Sequence, residues 1–215
     1  MDVTKFSHSC VRLHKAGQRL ELDPGVFSES SEALDGADGV LITHQHPDHF
    51  DVDALAKAVE ANDDLRIWAP ESVAASLTEL GDVVTTVAAG EEFEAAGFGV
   101  RTFGGQHALI HSSVPVVANV CFLVDGSVYH PGDSFTVPTV PVDTAMVPVH
   151  APWSKVGEVL DFVIGLRPTR CFQIHDALLN ENGLAVVYPH LRRVADEYGI
   201  DFRVLDTYET LELPG

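Results

Sequence analysis

Four strong metal ligands fall within six residues of this chain, and this density constrains the fold more than any other feature. The segment Thr43–His49, of sequence THQHPDH, follows an apolar run and precedes a helical pattern. The ligands should therefore lie where a strand ends and a helix begins. Residues two apart in an extended segment face the same side, so His44 and His46 can bind one metal ion. The proline that follows disrupts the strand and directs Asp48 and His49 toward a second ion.

Hydrophobic periodicity predicts alternating strands and helices over the whole chain. Strands are expected at residues 3–6, 11–13, 20–22, 83–87, 98–103, 116–124, 127–129, 144–149, 170–174 and 207–213. Helices are expected at 52–59 after an Asp51 N-cap, at 70–80, at 156–163 and at 184–198, the last started or kinked by Pro189. Strands followed by helices, twice over, favour two sheets packed face to face with helices outside.

The run at residues 43–49 resembles the His-x-His-x-Asp-His signature of the metallo-β-lactamase superfamily, and further residues follow in that family's order. They are Asp23 in LELDPG, His107 in GGQH, Asp133 in HPGDS and His175 in CFQIH. The resemblance implies an α/β (α+β) fold, the four-layer αββα sandwich. No long linker interrupts the pattern, so residues 1–215 are expected to form a single domain of two pseudo-repeated halves.

The same resemblance implies seven metal ligands in two sets that share one carboxylate. The first set is His44, His46 and His107, the second is Asp48, His49 and His175, and the shared carboxylate is Asp133. Three neutral imidazoles leave an open coordination position, as catalytic zinc sites do. A bridging carboxylate brings two metals about 3.5–4 Å apart, where they acidify one water. The implied cofactors are two divalent metal ions, zinc or else manganese or iron.

Three further residues have alternative assignments. Asp23 is expected to orient a ligating imidazole or loop amides rather than bind metal, the alternative being a turn residue. His8, in FSHS, resembles a strand-end motif in the branch of small cytosolic members that includes ascorbate-6-phosphate lactonases, and it either faces the metals or packs. His150 departs from that branch, which more often has a glycine-rich turn there. It is assigned to substrate contact or proton donation, or else to a packed loop.

The predicted function is hydrolysis of a small ester, lactone or phosphoester by a metal-bridging hydroxide, with Asp48, Asp133 and His150 as catalytic residues. Asp133 stands where zinc penicillinases usually carry Cys, which argues against β-lactam hydrolysis. His46 stands where the flavodiiron oxidoreductases use Glu. The alternatives are a mononuclear iron dioxygenase acting on sulfur compounds and a non-catalytic binding domain. Members that lose catalysis commonly lose ligands, and none is missing here.

The charge of the chain bears on its partners and its location. Thirteen basic residues face 32 acidic ones, a formal net charge of −19, and phosphate-backbone binding needs Lys and Arg. The expected partner is a small-molecule substrate, without nucleic acid or membrane, and the oligomeric state is not predicted. The N-terminus lacks a signal-peptide profile. Cys10, Cys121 and Cys171 lie in apolar stretches, which favours buried thiols in a reducing cytoplasm.

Overall fold

The computed structural model describes residues 1–214, and these form fourteen strands in two seven-stranded sheets. The first sheet contains β1 (Asp2–Lys5), β2 (Val11–Lys15), β3 (Gln18–Leu22), β4 (Gly39–Leu41), β5 (Arg66–Ala69) and β6 (Val84–Thr86). The second contains β7 (Glu92–Ala95), β8 (Phe98–Gly104), β9 (Val120–Val124), β10 (Val128–His130), β11 (Thr144–Pro148), β12 (Arg170–Ile174) and β13 (Asp201–Arg203). The last strand, β14 (Thr210–Glu212), returns to the first sheet and pairs with β1.

The two sheets follow the same plan. The strand orders are β14-β1-β2-β3-β4-β5-β6 and β13-β12-β11-β10-β9-β8-β7. From β14 in the first sheet and from β7 in the second, three antiparallel pairs are followed by three parallel pairs, and the parallel pairs begin with β3–β4 and β10–β11. That the chain is one domain of two repeated halves stays a prediction, which this shared plan favours.

Helices cover the outer faces of both sheets. They are α1 (Ser30–Ala33), α2 (Val52–Ala61), α3 (Glu71–Ala74), α4 (Val156–Leu166) and α5 (Glu181–Tyr198), with a 3₁₀ segment at Thr78–Val83. Within residues 1–214, no helix combines the length and the apolar character that crossing a lipid bilayer requires.

Alternation along the strands builds three apolar layers, because successive side chains point to opposite faces of a sheet. In the first sheet Leu41 packs between the two sheets, whereas its neighbours Val40 and Ile42 pack outward with residues of α2 and α3. In the second sheet Phe122 faces inward and Leu123 faces α4 and α5. The predicted αββα sandwich is therefore confirmed.

The predicted helix at 70–80 is wrong in its length. Helix α3 ends at Ala74, and Leu77 leaves helical geometry at φ −113° and ψ 20°. Gly81 lies inside the following 3₁₀ segment rather than at a helix end. The break lets the chain turn back so that Val84 pairs in parallel with Ile67 of the neighbouring strand. Tertiary pairing thus overrides a helical pattern that is regular in the sequence.

Two other boundaries also differ from the sequence prediction, whereas the Asp51 N-cap is confirmed by its hydrogen bond from Ala54 N at 3.1 Å. The strand predicted from residue 116 begins only at Val120, because residues 116–119 instead bond to the loop after β8, where the amide of His107 donates to the carbonyl of Val117 at 3.0 Å. Helix α5 begins at Glu181 and continues through Pro189, which therefore does not start it. Pro189 is exposed, so water can satisfy the carbonyl that loses its donor.

Candidate metal centre

The seven predicted ligands converge although they follow four different strands. The segment 44–49 follows β4, His107 follows β8, Asp133 follows β10 and His175 follows β12. All but His46 and Asp48 are almost completely buried. Loops on a rigid pair of sheets hold their side chains in place, as expected of a functional site.

The structure groups potential ligand atoms into two clusters. In the first, atoms of His44, His46, His107 and Asp133 all lie within 4.8 Å of one another. In the second, atoms of His8, Asp48, His49 and His175 meet the same limit. The first cluster contains the predicted first set, and the second contains the predicted second set together with His8.

The carboxylate of Asp133 lies between the clusters, with one oxygen toward each. Its Oδ2 is 3.3 Å from Nε2 of His107 in the first cluster. Its Oδ1 is 3.0 Å from Nε2 of His49 and 3.2 Å from Nε2 of His175 in the second. A carboxylate that bridges two metals requires this placement.

Asp23 orients one histidine of each cluster. Its carboxylate accepts hydrogen bonds from Nδ1 of His49 at 2.7 Å and from the hydroxyl of Thr43 at 2.7 Å. Because that hydroxyl donates to Asp23, it accepts from Nδ1 of His44 at 2.9 Å. Both imidazoles therefore carry a proton on Nδ1 and turn Nε2 toward the site, as metal-ligating histidines do; Nε2 of His44 lies 3.0 Å from Nδ1 of His46. Asp23 acts on imidazoles and a loop amide, in line with the expectation from the sequence.

Main-chain carbonyls orient two more histidines in the same way. Nδ1 of His107 donates to the carbonyl of Ala108 at 2.6 Å. Nδ1 of His175 donates to the carbonyl of His150 at 2.5 Å. Both leave Nε2 free for a cation.

Several buried atoms of the site have no hydrogen-bond partner within residues 1–214. Among them are Nε2 of His49, His107 and His175 and Oδ1 of Asp133. Buried polar atoms are normally paired, because an unpaired one costs about 1–3 kcal/mol. Divalent cations would satisfy all four atoms at once, so the residues present fit a metal centre of nitrogen and oxygen ligands.

Burial and neighbouring charges set the protonation of the clusters. Burial, together with the neighbouring imidazoles, lowers the pKa of His44 well below its ordinary value, so this ring is neutral. Burial opposes ionisation of Asp133, but His49 and the close imidazoles of His107 and His175 hold its pKa well below the usual range. Burial would also lower the pKa of His49, but Asp133 and Asp23 outweigh it and raise that pKa. Because Nδ1 of His49 already donates to Asp23, a proton and a metal ion compete for its Nε2.

His8 belongs to the second cluster rather than to the core alone. Its Nε2 donates to Oδ2 of Asp48 at 3.1 Å, and its main-chain carbonyl accepts from the amide of His175 at 3.0 Å. The backbone of His8 has φ +59°, in the sparsely populated left-handed region. Burial lowers the pKa of His8, so the ring is neutral. It can hold Asp48 in place or bind a metal through Nδ1.

The segment after β11 contributes His150 and a residue that sequence reasoning missed. His150 is partly exposed, and its imidazole is part of neither cluster. Trp153 was not predicted, although its Nε1 donates to Oδ2 of Asp133 at 2.9 Å. The only sequence signal for Trp153 is its position three residues after His150, in a loop that follows a buried strand.

Asn119 is a second missed residue, and it holds the loop that carries Asp133. Its Oδ1 accepts from the amide of Asp133 at 2.9 Å, while its Nδ2 donates to the carbonyl of Pro131 at 2.9 Å. The side chain is fully buried. An amide inside the strand predicted at 116–124 gives no hint of this contact in the sequence.

A cleft with a volume of about 350 Å³ opens onto both clusters. Its polar floor is formed by His46, Asp48, His107, Asp133 and His175. This volume lies at the small end of the range of ligand sites. The floor can present metal-bound solvent to a small molecule.

Comparisons with known proteins agree with this geometry. A family model described as "Beta-lactamase superfamily domain" matches residues 2–175. Protein Rv0786c of Mycobacterium tuberculosis is 37% identical over 210 residues, covering 95% of this chain and 96% of that protein. A UPF0173 metal-dependent hydrolase of Aeropyrum pernix is 28% identical over 149 residues, covering 61% of each.

Solved structures share the fold as well. Igni18, a metallo hydrolase from the archaeon Ignicoccus hospitalis, superposes with a TM-score of 0.75 over 99% of both chains. The sequence identity is 20%, so this likeness concerns the fold alone.

Proposed function

Because this chain belongs to the metallo-β-lactamase superfamily, whose domain model spans residues 2–175, we propose that this metal-dependent hydrolase cleaves a small ester, lactone or phosphoester at a two-metal centre. The observation that carries the proposal is the Asp133 carboxylate, which turns one oxygen to each cluster. The ligand assignment is that expected from the sequence. Placement beside the ascorbate-6-phosphate lactonases stays a prediction.

Two divalent cations bound there would lower the pKa of a shared water and polarise the oxygen of the substrate. The side chain of Asp48 is one-fifth exposed and reaches the cleft. Burial opposes its ionisation, but the nearby imidazole of His175 and the hydrogen bond from His8 hold its pKa far below the ordinary value. Asp48 is therefore a carboxylate at neutral pH, which can accept a hydrogen bond from water and orient it.

His150 remains the candidate for substrate contact and for protonation of the leaving group. It precedes Pro152 and Trp153, which both line the cleft. Its carbonyl orients His175, so the position of its backbone is tied to the second cluster.

The donor set favours zinc, with manganese or iron as alternatives, because imidazoles predominate over carboxylates. We further propose a cytoplasmic location, since Cys10, Cys121 and Cys171 are buried and form no disulfide within residues 1–214. The net charge of −19 opposes binding to nucleic acid.

The test is Asp133→Ala, with metal content and turnover measured on the same preparations. The wild-type protein, purified without chelators and supplied with zinc, should contain about two metals per chain. The variant should contain fewer and lose hydrolysis by orders of magnitude, while its circular dichroism stays native-like. Asp196→Ala, on the exposed face of α5, is the matched control and should behave as wild type.

Other outcomes would favour the alternatives. Wild-type turnover in Asp133→Ala would refute the assignment of a bridging carboxylate. One iron per chain, with oxygen consumed on a sulfur substrate, would favour the dioxygenase. Full metal loading without turnover of any ester, lactone or phosphoester would favour a binding domain.

A further inference from the structure

The mouth of the cleft is apolar on three sides. Val26, Phe27, Ile110 and Leu178, here called the apolar rim, line it and are 50%, 44%, 41% and 49% exposed. They lie on three loops, which follow β3, β8 and β12. Exposed apolar side chains are ordinary when scattered singly, whereas their convergence marks a binding surface.

The rim continues directly into the candidate metal centre. Phe27 places its ring edge against the imidazole of His8, with 5.4 Å between ring centroids. Pro152 and Trp153 complete the wall between the rim and the floor. A molecule whose reacting group lies on the floor would therefore have to contact the rim.

Cationic side chains do not reach this cleft. Among the described residues that line it, none is Lys or Arg. Lys5 is buried in an ion pair with Asp176 at 3.2 Å, and Arg12 is paired with the buried Glu21. Phosphate recognition normally uses Arg or Lys in addition to any metal. The acidic surface of the chain also repels anions.

We propose that the substrate is a neutral ester or lactone whose alkyl or aryl group is bound by the apolar rim while its carbonyl reaches the floor. This inference rests on the proposed function and narrows it, since it removes phosphoesters. The rim supplies binding to the part of the substrate that does not react. A small substrate without an apolar group would leave these four side chains in water.

Binding can be measured apart from catalysis with 2-alkanones, neutral carbonyl compounds that a hydrolase cannot cleave. Trp68→Phe removes one of the two tryptophans and leaves Trp153, in the cleft wall, as the fluorescent reporter. Each methylene that becomes buried should tighten binding by about fourfold, until the cleft is filled. The dissociation constant should therefore fall steadily from butanone to octan-2-one.

The rim variants are Phe27→Ser and Leu178→Ser in the same background. Each should flatten the dependence on chain length. Val186→Ser is the matched control, because Val186 is 63% exposed but lies on α5 outside the cleft; it should leave the dependence unchanged. With 4-nitrophenyl alkanoates, kcat/KM of the zinc-loaded protein should rise along the same series and exceed that for bis(4-nitrophenyl) phosphate.

Different results refute the proposed hydrolysis and the proposed binding of an apolar substrate group. Alkanone binding that ignores chain length, or that persists in both rim variants, overturns the inference even if esters are cleaved. Preference for the phosphodiester overturns it as well. Chain-length-dependent binding without cleavage of any ester, lactone or phosphoester supports the apolar site and refutes the proposed hydrolysis. The rim would instead be a docking surface if the protein dimerised or bound phosphatidylcholine vesicles and Phe27→Ser abolished this. Together with alkanone binding that does not depend on chain length, that result would overturn the inference.

Discussion

Asp23→Asn should weaken both metal sites although Asp23 is in neither cluster. The side chain is fully buried and accepts three hydrogen bonds, from the amide of Thr43 at 2.8 Å, its hydroxyl at 2.7 Å and Nδ1 of His49 at 2.7 Å. Asn has nearly the same shape. It also tolerates the left-handed backbone found here, at φ +48°. The substitution therefore changes the hydrogen bonding and little else.

The magnitude follows from where the new NH₂ group must lie. The amide of Thr43 needs an acceptor, so the Asn oxygen stays there and the NH₂ faces the Thr43 hydroxyl and Nδ1 of His49. That nitrogen must then accept, which moves the proton of His49 to Nε2. The hydroxyl of Thr43 now accepts a hydrogen bond from the NH₂ group and donates one to Nδ1 of His44. The ring proton of His44 therefore moves to Nε2 as well. Loss of such an orienting partner costs about 10–100-fold in metal affinity, or about 1.4–2.7 kcal/mol per site.

The assay is zinc competition against a chromogenic chelator, combined with ¹⁵N NMR of the imidazoles in the metal-free protein. Both dissociation constants should rise by about one to two orders of magnitude, and the spectra should show Nε2-protonated His44 and His49. The control is Asp38→Asn, because Asp38 accepts from the amide of Arg19 at 2.7 Å at the opposite end of β4. It should retain wild-type affinity.

Two results would refute the reasoning. Unchanged affinity at both sites would mean that Asp23 does not control the tautomers. Loss of zinc affinity only at the site that contains His49 would mean that the hydroxyl of Thr43 does not transmit the change to His44. Global unfolding is not expected, because Asn keeps all three contacts as neutral hydrogen bonds, worth about 0.5–1.5 kcal/mol each instead of about 1.5–3, against a typical stability of about 5–15 kcal/mol.

Three further predictions concern single side chains. Trp153→Phe keeps the ring but loses the donor to Asp133, so zinc affinity should fall up to about tenfold in the chelator assay, while Trp68→Phe should not change it. His150→Ala keeps the main-chain carbonyl, so metal content should be unchanged; a change in kcat or KM would support substrate contact, and unchanged kinetics would make His150 a packed loop residue. Burial raises the pKa of Glu21 from 4.5 to about 8 despite its bound Arg12, so the folded form holds this proton more tightly than the unfolded form. Its contribution to the free energy of unfolding is therefore present below about pH 4.5 and is lost as the pH rises toward 8. Urea denaturation of the metal-free protein should show this loss, and Glu21→Gln should show less of it; equal slopes in both proteins would contradict the prediction.

The predicted ligands converge because a strand end restricts side-chain direction; that they bind metal stays a prediction. Four of the ligands, His44, His46, Asp48 and His49, lie within six residues of the chain. Local geometry alone therefore brings them close together. Asp133 and His175 each follow a buried strand, and the sheets bring those strand ends together. The order of the motifs along the chain therefore predicts that these side chains converge.

Contacts between distant loops were not predictable in this way. Trp153 reaches Asp133 across 20 residues of sequence, and Asn119 reaches it across 14. Neither residue type carries a periodic or spacing signal. The apolar rim was missed for the same reason, since its members lie on separate loops and each appears as an isolated exposed residue.

The sequence analysis missed β5, β7 and β13, which have only three or four residues each. Strand β7 has the sequence EFEA and lies at a sheet edge, where polar residues are common. Strand β13 has only three residues, DFR. Such segments become strands because a neighbouring strand supplies partners, and a single sequence does not show those partners.

The pairing of β1 with β14 has a consequence for biosynthesis. Val3 pairs with Leu211, so the edge of β1 stays unpaired until the ribosome has translated almost the whole chain. An unpaired edge strand can recruit strands of other chains, and contacts this distant in sequence form slowly. The nascent protein should therefore depend on chaperone protection of its first strands, and slow translation of the last third should increase aggregation.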